Sequence, residues 1–458
     1  MTQIVEMPLW LLLLILAFAA VTFASHFLFP SVRWFLRVRA ERVVAKLNKR
    51  LSRPIEPFKL ARRYDTIQRL TYDPGVLEAV TERARETGVR EDVVLEEARD
   101  YAREIAPAFS ATMYFGLAIR IARWLSTALY RVRIVHLDPE SQSLEEGATV
   151  IYVINHRSNM DYVLLTYLAS ESSALSFAMG EWGRTWPLRP VLRAIGGYFI
   201  RRKNGNTLYR RVLAQYVHLA TSEGLTQAIF PEGRLSLDGA PQKPKFGLLS
   251  YVLQAKSERD IIFVPVSVNY DRVLEDRVLL DAAKAGKRRF KVRMGAVLGN
   301  TYKILRRRFD DKDYRFGHAA VVFGTPIRLR DIEFPPEGAD PSPAEVVGET
   351  LMAAISKGVP VLPVPLIAEV LGEGEFDVPA LIEKVKRRAE ELGQSHVHFP
   401  ETGIEAGVHE AIKGLSIRKV IRVPEDSSGP IEILEPEILG FYARSVAHLR
   451  TLPAAVET

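Results

Sequence analysis

Cysteine is absent from this chain of 458 residues. Its absence excludes disulfide bonds, thiolate-bound zinc and a cysteine nucleophile, and it suits a reducing compartment. The sequence also lacks the glycine-rich motifs of dinucleotide-binding and P-loop proteins, and the Gly-x-Ser-x-Gly motif of α/β-hydrolases. These absences disfavour a nucleotide-dependent enzyme and a serine hydrolase of that type.

Charged residues are missing from Met7 to Val32, a stretch of mainly Leu, Ala and Phe that is long enough to cross a bilayer as one helix. The first seven residues contain Glu6 but no Lys or Arg, so the basic segment of a cleaved signal peptide is missing. Basic residues follow the apolar run instead: Arg33, Arg37, Arg39, Arg42, Lys46, Lys49, Arg50 and Arg53. The positive-inside rule therefore predicts a transmembrane signal anchor in residues 1–32, in the cell inner (plasma) membrane, with a cytoplasmic body.

The net charge of +7 is concentrated in a few clusters. Besides the residues that follow the apolar run, two further basic clusters are Lys284, Lys287, Arg288, Arg289, Lys291 and Arg293, and Arg306, Arg307 and Arg308. Beside a membrane anchor, such clusters favour contact with anionic lipid headgroups. An acidic protein partner or a phosphorylated substrate is the alternative. We predict no nucleic-acid partner, because no nucleic-acid-binding motif is recognisable.

Residues 33–146 are predicted to be a basic juxtamembrane and helical region. Within it, the run from Ile105 to Ile119 is uncharged and apolar, and Arg and aromatic residues follow it up to Arg133. The run is short for a second transmembrane span. Its composition is typical of a helix in the membrane interface, and a core helix of the globular domain is an equal alternative.

Residues 147–330 alternate between strand and helix patterns, which predicts an α/β domain with a central, mainly mixed β-sheet flanked by helices. The predicted strands lie near 148–155, 174–179, 197–201, 226–230, 261–268 and 319–325, and the predicted helices near 160–170, 187–195, 206–222 and 246–257. Ligands of such folds bind beyond the strand ends. Residues 331–458 form a mostly helical C-terminal region, with a β-like stretch from Ile417 to Leu434.

The motif Asn155-His156-Arg157-Ser158-Asn159-Met160-Asp161 follows the first of these strands. Ser158 is placed to cap the next helix, whose first turn carries Asp161. A carboxylate that binds one nitrogen of an imidazole makes the other nitrogen a base able to deprotonate an alcohol. A capped helix beside a surface histidine is the alternative, and the motif alone does not separate the two interpretations.

Three further segments follow at strand ends: Gly196-Gly197-Tyr198-Phe199-Ile200-Arg201-Arg202, Ile229-Phe230-Pro231-Glu232-Gly233-Arg234-Leu235-Ser236 and Val264-Pro265-Val266-Ser267-Val268. In order and spacing, the four segments resemble the sequence blocks of the glycerolipid acyltransferases, and most closely the glycerol-3-phosphate and dihydroxyacetone-phosphate acyltransferases. Weaker similarities at residues 361–368 and 441–449 extend the resemblance to about two thirds of the chain.

The resemblance implies roles for residues of these blocks. His156 and Asp161 are the implied catalytic pair. The implied substrate-binding residues are Arg157, Ser158, Arg201, Glu232, Gly233, Arg234, Ser236, Lys243 and Lys245. The family usually has Arg directly before the serine of the third block, where this chain has Leu235. Because a one-residue shift in an extended segment reverses the side-chain direction, the identity of the acceptor stays open.

The resemblance implies a membrane-bound enzyme that moves a fatty acyl group from acyl-CoA or acyl-ACP to the sn-1 hydroxyl of glycerol 3-phosphate, giving lysophosphatidate. Its expected partners are membrane lipid, glycerol 3-phosphate and an acyl thioester, with acyl carrier protein as the alternative carrier to coenzyme A. Dihydroxyacetone phosphate or lysophosphatidate is the alternative acceptor, and a non-catalytic lipid-binding membrane protein is the alternative of another class. No cofactor is expected. No metal is expected, since His396 and His398 have no third candidate ligand near them in the sequence.

Overall fold

The computed structural model describes residues 8–23, 42, 44–51, 53–60, 63–138, 144, 145, 147–168, 173–180, 183, 188–201, 205–285, 315–336, 340–393, 396–424 and 429–451. The chain divides into two compact units, Met1–Ile55 and Glu56–Thr458. In the first unit, helix α1 covers Leu9–Phe23 and buries none of its residues. No helix within the described ranges combines the length and the apolar composition needed to cross a membrane. Residues 1–7 and 24–32 of the predicted anchor lie outside those ranges.

The second unit begins with four helices, α2 (Pro57–Leu60), α3 (Arg63–Thr71), α4 (Pro74–Thr87) and α5 (Glu91–Ile105). Helix α4 begins at Pro74 because the Asp73 side chain caps it, accepting from the amides of Gly75 and Val76. Helix α5 buries Val94, Ala98 and Ile105, which recur at helical spacing on one face. These helices pack on one another and on the sheet domain through that apolar face.

A π-helical segment, Thr112–Ala118, continues directly into helix α6, Ile119–Leu129. One face of this continuous helix is buried and includes Tyr114 and Leu129. The opposite face exposes Leu117, Ile121 and Trp124, at positions i, i+4 and i+7. The segment therefore packs on the globular domain with one face, as predicted for a core helix. With its other face it presents apolar side chains to solvent, as predicted for a helix in the membrane interface.

Within the described residues, the central sheet has eight strands. They are β1 (Arg131–His136), β2 (Thr149–Ile154), β3 (Ser176–Met179), β4 (Gly197–Phe199), β5 (Gln227–Ile229), β6 (Ile261–Tyr270), β7 (His318–Phe323) and β8 (Ile327–Arg328). The strand order is β1-β7-β6-β2-β5-β3-β4, and β8 pairs with β6. Strands β6, β2, β5, β3 and β4 are parallel to one another, while β7 and β8 are antiparallel to β6. The mixed sheet predicted from the sequence is confirmed.

Strand β1 precedes residue 147, where the sequence placed the start of the α/β domain. It pairs with β7 in parallel, from Arg131 opposite His318 to His136 opposite Phe323. As an edge strand it is only half-buried. Because it contains two arginines, its sequence was interpreted as the polar end of the preceding helix. The sheet therefore begins at residue 131.

Helices follow the parallel strands and cover the sheet. They are α7 (Met160–Leu168), α8 (Leu188–Ala194), α9 (Thr207–Ser222), α10 (Gly247–Leu253) and α11 (Asp276–Lys284). Every residue of β2 and β6 is buried, as expected for central strands that are covered on both faces. Because β2, β3, β4, β5 and β6 are parallel, their carboxyl ends lie at one edge of the sheet.

The C-terminal region is mainly helical, with α12 (Pro343–Lys357), α13 (Pro363–Leu371), α14 (Val378–Leu392), α15 (Ile404–Ile417) and α16 (Pro436–Ala443). A short antiparallel pair, β9 (Ile421–Arg422) and β10 (Glu432–Ile433), lies within the predicted β-like stretch. Every residue of α13 is buried. Helix α12 joins the sheet through the Ser267 hydroxyl, which donates to the carbonyl of Ile355 at 2.6 Å.

Of the two predicted basic clusters, only Lys284 lies in the described residues, where it pairs with Glu437. The remaining members fall in residues 286–314, outside the described ranges.

Candidate active site

A buried imidazole–carboxylate pair lies at the carboxyl end of β2. Nδ1 of His156 lies 2.9 Å from Oδ2 of Asp161, and their side chains are 3% and 0% exposed. The two residues meet because Asp161 is in the first turn of α7, five residues after the histidine. The predicted cap is also present, since the Ser158 hydroxyl accepts from the Met160 amide at 3.1 Å. The arrangement fixes one ring nitrogen and leaves Nε2 as the nitrogen able to take a proton from a substrate.

The Asp161 carboxylate is held by three further donors. The backbone amides of Arg157 and Ser158 donate to Oδ2 at 2.7 and 3.0 Å. The Tyr270 hydroxyl, at the end of β6, donates to Oδ1 at 2.7 Å. Burial, together with the neighbouring Asp161, raises the pKa of Tyr270, so the phenol remains a donor. These bonds set the orientation of the carboxylate that binds His156.

Sequence reasoning missed Tyr270, because the fourth block was taken to end at Val268. The strand runs two residues further, to Tyr270. Alternation along the strand places Val266, Val268 and Tyr270 on one face, and this was the available signal. Asn155, directly after β2, also joins β2 to β6. Its side-chain Nδ2 donates to the Val268 carbonyl at 2.9 Å, and its Oδ1 accepts from the Val268 amide at 2.7 Å.

Aromatic rings enclose the imidazole. The Phe230 ring centroid lies 4.4 Å from that of His156, and the Tyr162 ring meets it edge-on at 5.3 Å. Phe230 follows β5, and Tyr162 is in the first turn of α7. The rings restrict the rotation of the imidazole and keep water from its faces.

Glu232, in the turn after β5, contacts the loop after β2 directly. Its Oε1 accepts from the His156 amide at 3.2 Å. Burial raises the pKa of Glu232 to about 8, against the opposing effects of the His156 amide and the Arg157 guanidinium. The Ser236 amide donates to the His156 carbonyl at 3.1 Å. The loops after β2 and β5 are therefore joined on both sides of His156.

A second buried carboxylate, Glu275, supports the same loop from the segment between β6 and α11. It accepts from the Ser158 hydroxyl at 2.7 Å and from the Asn159 side chain at 3.0 Å. Burial raises the pKa of Glu275. The sequence motifs did not indicate this residue, which is 117 positions from Ser158. Ser158 thus holds the loop, through its helix cap and through Glu275.

Arg157 is a buried cation beside the pair. Its guanidinium donates to the Gly239 carbonyl and lies 5.5 Å from the Phe441 ring centroid. Its Nε and Nη2 have no hydrogen-bond partner within the described residues. Burial lowers its pKa, with Glu232 and Asp161 acting in the opposite direction. Arg157 thus connects the loop after β2 with α16, which lies in the segment of the weaker downstream resemblance.

The sequence block after β5 contains both exposed and buried side chains. Gly233 adopts φ +69° in the turn, and its amide donates to the Phe230 carbonyl at 3.0 Å. Arg234 is exposed, while Leu235 is 8% exposed and belongs to the core. The Ser236 hydroxyl is buried and donates to the Ala240 carbonyl at 2.7 Å. In this loop Arg234 faces solvent, and Ser236 holds the next turn.

Lys243 and Lys245 lie further along the same loop, and both are exposed. The Lys245 amide donates to the Pro231 carbonyl at 2.7 Å, which closes the loop onto the Glu232 turn. The loop therefore presents three exposed cations beside the His156 segment, two of them lysines and the third Arg234.

Arg201 follows β4 at the same edge of the sheet. Strand β4 lies three strand spacings, or about 14 Å, from β2. Its Nε donates to both oxygens of Glu104, at 2.9 and 3.2 Å. Its guanidinium lies 4.9 Å from the Tyr101 ring centroid and 5.3 Å from that of Tyr209. The structure thus gives Arg201 an intramolecular carboxylate partner, which the sequence did not indicate. Arg202 lies outside the described residues.

No group of three or more His, Asp or Glu side chains suited to a metal ion occurs in the described part of the chain. His398 is 8% exposed, and burial lowers its pKa to about 4. Burial also lowers the pKa of His396.

Residues 136–269 match the family model described as Acyltransferase. The matched range contains the His156–Asp161 pair, Arg201 and the Glu232 turn. The chain therefore carries an acyltransferase domain, as the sequence blocks predicted.

Curated relatives extend the similarity over most of the chain. The glycerol-3-phosphate acyltransferase of Ectopseudomonas mendocina (strain ymp) is 28% identical over 428 residues, which are 86% of this chain and 50% of that protein. The glycerol-3-phosphate acyltransferase of Pseudomonas entomophila (strain L48) is 27% identical over 444 residues, 90% of this chain and 52% of that protein. The resemblance to this family is confirmed, and the chain spans about half the length of the curated relatives it matches.

Among solved structures, the 1-acyl-sn-glycerophosphate acyltransferase of Thermotoga maritima matches 64% of this chain and 97% of its own. The sequence identity is 16% and the TM-score is 0.32.

Proposed function

We propose that this chain, whose acyltransferase domain is related to the glycerol-3-phosphate acyltransferases, transfers a fatty acyl group from an acyl thioester to the sn-1 hydroxyl of glycerol 3-phosphate. The product is lysophosphatidate. The observation that supports this most strongly is the buried His156–Asp161 pair at the strand-end edge, 2.9 Å apart. A lipid-binding protein without an activity has no need of a base held in this way.

In the proposed reaction, Nε2 of His156 takes the proton of the acceptor hydroxyl as its oxygen attacks the thioester carbonyl. The new C–O bond forms, and the C–S bond breaks as the tetrahedral intermediate collapses. The leaving thiolate takes the proton back from the imidazolium. Asp161 stabilises that imidazolium, and the thioester is already activated, so no cofactor is needed. General-base catalysis of this kind contributes about 10²–10⁴-fold.

The phosphate of the acceptor requires cations near the hydroxyl that reacts. Arg234, Lys243 and Lys245 lie on the loop that is bonded to the His156 segment, and all three are exposed. We propose that this loop holds the phosphate, with Arg201 as a more distant contact once it leaves Glu104. Arginine binds phosphate through two parallel hydrogen bonds, which suits it to this task.

The donor is proposed to be acyl-CoA or acyl-ACP, reached from the cytoplasmic side of the cell inner membrane. The uncharged run from Met7 to Val32 and the basic residues after it support a single anchoring span there. The exposed Leu117, Ile121 and Trp124 face supports an additional contact with the membrane interface.

The test is an acyl-transfer assay with the purified full-length protein, read by mass spectrometry. Both donors are combined with glycerol 3-phosphate, dihydroxyacetone phosphate and lysophosphatidate, with His156→Ala as the matched control. The proposal predicts that glycerol 3-phosphate is the preferred acceptor and that the product carries the acyl group at sn-1. Preference for either other acceptor contradicts the acceptor assignment, and no turnover with any combination contradicts the enzymatic role.

A further inference from the structure

The loop between β5 and α10, residues 230–246, carries the cations that are proposed to hold the acceptor phosphate. It also contains a turn that is closed by its own hydrogen bonds. The Gly239 amide donates to the Ser236 hydroxyl at 3.0 Å, and the Asp238 side chain accepts from the Ala240 amide at 3.2 Å. These bonds hold the backbone around Gly239 in one conformation.

Helix α16 packs closely against this turn. Gly239 has φ +93°, and a Cβ there would overlap the carbonyl oxygen of Phe441 and lie 2.8 Å from its carbonyl carbon. Arg444, directly after α16, donates from Nε to the Asp238 carbonyl at 2.8 Å. The end of the helix therefore contacts the backbone of the turn at two successive residues, and the close approach requires glycine at one of them.

Arg157 joins the same turn to the His156 segment. Its guanidinium donates to the Gly239 carbonyl and lies 5.5 Å from the Phe441 ring centroid. The residue is 4% exposed, and its Nε and Nη2 have no hydrogen-bond partner within the described residues. An apolar side chain would fill such a buried position at a lower cost in desolvation. The contacts of Arg157 instead bring the His156 segment, the turn and α16 together at one point.

Helix α16 is itself fixed to the sheet. The Tyr442 hydroxyl donates to Asp276 at 2.6 Å and accepts from the Val273 amide at 3.1 Å. Asn269, in β6, donates from its side chain to the Ser445 hydroxyl at 3.3 Å. The helix therefore holds the turn in a defined position relative to the end of β6.

We propose that α16 is a positioning element of the acyl-transfer site, and that it acts through Gly239 and the positioning residue Arg157. This inference rests on the proposed function. The three exposed cations of the 230–246 loop lie on both sides of the turn in sequence. The position of the turn therefore sets the distance between the bound phosphate and His156.

That distance decides which hydroxyl of glycerol 3-phosphate reacts. The sn-2 hydroxyl lies one carbon closer to the phosphate than the sn-1 hydroxyl. A loop held at one distance from His156 therefore favours one of the two hydroxyls, and a displaced loop admits the other. Misplacement of a reacting group by about 1 Å lowers a rate by up to about 10²-fold, so a small displacement is sufficient.

The first test is Gly239→Ala in the full-length protein, with Gly403→Ala as the matched control. Both glycines have a positive φ, +93° and +101°, but a Cβ on Gly403 meets nothing within 4 Å among the described residues. Arg444→Gln removes the other contact of α16 with the turn without straining the backbone. Its control is Arg422→Gln, which breaks an exposed ion pair in the same C-terminal region.

Three quantities are measured in folded variants: hydrogen exchange of residues 230–246, the two Michaelis constants, and the ratio of 1-acyl to 2-acyl product directly after quenching. Gly239→Ala and Arg444→Gln are expected to speed exchange in the loop and to raise the acceptor constant at least about fivefold, with the donor constant unchanged. They also raise the share of 2-acyl product. Arg157→Met shows the same three changes, and Arg157→Lys restores part of the wild-type behaviour because it keeps a donor.

Equal effects in the variants and their controls overturn the proposal. So does loop exchange that none of the variants speeds, and so does faster exchange with a wild-type acceptor constant and product ratio. Absence of turnover by the wild type contradicts the proposed function instead. Hydrogen exchange needs no substrate, so a failure of this inference and a failure of the proposed function are distinguishable.

Discussion

The Tyr270 hydroxyl donates a hydrogen bond of 2.7 Å to Asp161, from a strand that is 109 residues away in sequence. This bond joins the end of β6 to the carboxylate that binds His156. It therefore connects the hydrophobic core of the sheet with the orientation of the proposed general base.

Tyr270→Phe is expected to lower kcat about tenfold with little change in either Michaelis constant. Removing the hydroxyl leaves Oδ1 of a buried carboxylate without this donor, which costs about 1–3 kcal/mol and loosens the pair. Tyr130→Phe is the matched control, because Tyr130 also loses a buried hydroxyl bond, of 2.7 Å to the Arg272 carbonyl. Equal losses of activity in the two variants would assign Tyr270 a general role in stability.

The raised pKa of Glu232 predicts a pH-dependent stability. An unfolded glutamate has a pKa near 4.5 and loses its proton there, whereas the folded residue, whose pKa is about 8, keeps its proton up to that pH. The free energy of unfolding therefore falls as pH rises through this window, because the unfolded chain releases its proton first. In Glu232→Gln this contribution is absent, so the variant gains stability relative to the wild type between about pH 4.5 and pH 8.

Thermal or urea unfolding at several pH values measures this difference. Glu349→Gln, at an exposed position of α12, is the control and should track the wild type at every pH. A constant difference between Glu232→Gln and the wild type across the window would mean that Glu232 is ionised in the folded protein.

Substitutions of Arg201 and of Glu104 are expected to change the Michaelis constant for the acceptor in opposite directions. If Arg201 leaves Glu104 to hold the acceptor phosphate, Arg201→Ala raises the Michaelis constant for the acceptor about tenfold, the size of one charge-assisted contact. Glu104→Gln removes the competing carboxylate and lowers the same constant. The donor constant stays unchanged in both variants.

Arg90→Ala, which breaks an exposed ion pair with Asp92, controls for the loss of a surface arginine. A structural role for the Arg201–Glu104 pair gives another pattern, in which both variants lose stability and neither changes the acceptor constant. A rise in the donor constant alone would place Arg201 in the site of the thioester carrier.

Two segments are proposed to hold the protein at the membrane, and their contributions are separable. Deletion of residues 1–32 removes the proposed span, and the triple change Leu117→Gln, Ile121→Gln and Trp124→Gln removes the exposed apolar face next to the sheet. Only the combination is expected to release the body fully, since an apolar interfacial face binds the bilayer independently of a span. Leu77→Gln, Val93→Gln and Val278→Gln form the control, at exposed apolar positions elsewhere.

Membrane fractions are extracted with high salt and with alkaline buffer, and the protein in each fraction is quantified. Full release by the deletion alone would show that the Leu117, Ile121 and Trp124 face makes no membrane contact. Retention of the combined variant would mean that neither segment accounts for membrane binding.

The His156–Asp161 pair was predictable as a pair because its signal is local. Five residues separate His156 from Asp161, and an apolar strand before them with a capped helix after them determines where both side chains lie. Tyr270 and Glu275 reach the same loop from over 100 residues away, and no short-range pattern reports such contacts. Strand β1 was missed for a related reason, since an edge strand exposes polar side chains and lacks the continuous apolar run of β2.

The carboxylate partner of Arg201 also lay beyond sequence reasoning. Arg201 was correctly placed at a strand end, but Glu104 comes from α5, and for residues 33–146 the sequence predicted only a basic and helical region. The exposed Arg234 beside the buried Leu235 was foreseen in part, because alternation in an extended segment sends neighbouring side chains in opposite directions.

Acyl transfer by His156→Ala, measured beside the wild type and Asp161→Asn, tests the central claim most directly. The full-length proteins are compared at equal expression, with folding checked by circular dichroism and product quantified by mass spectrometry. The account predicts folded, membrane-bound variants, with turnover reduced more than about 10²-fold in His156→Ala and strongly reduced in Asp161→Asn. Near wild-type turnover by folded His156→Ala would contradict the assignment of His156 as the general base.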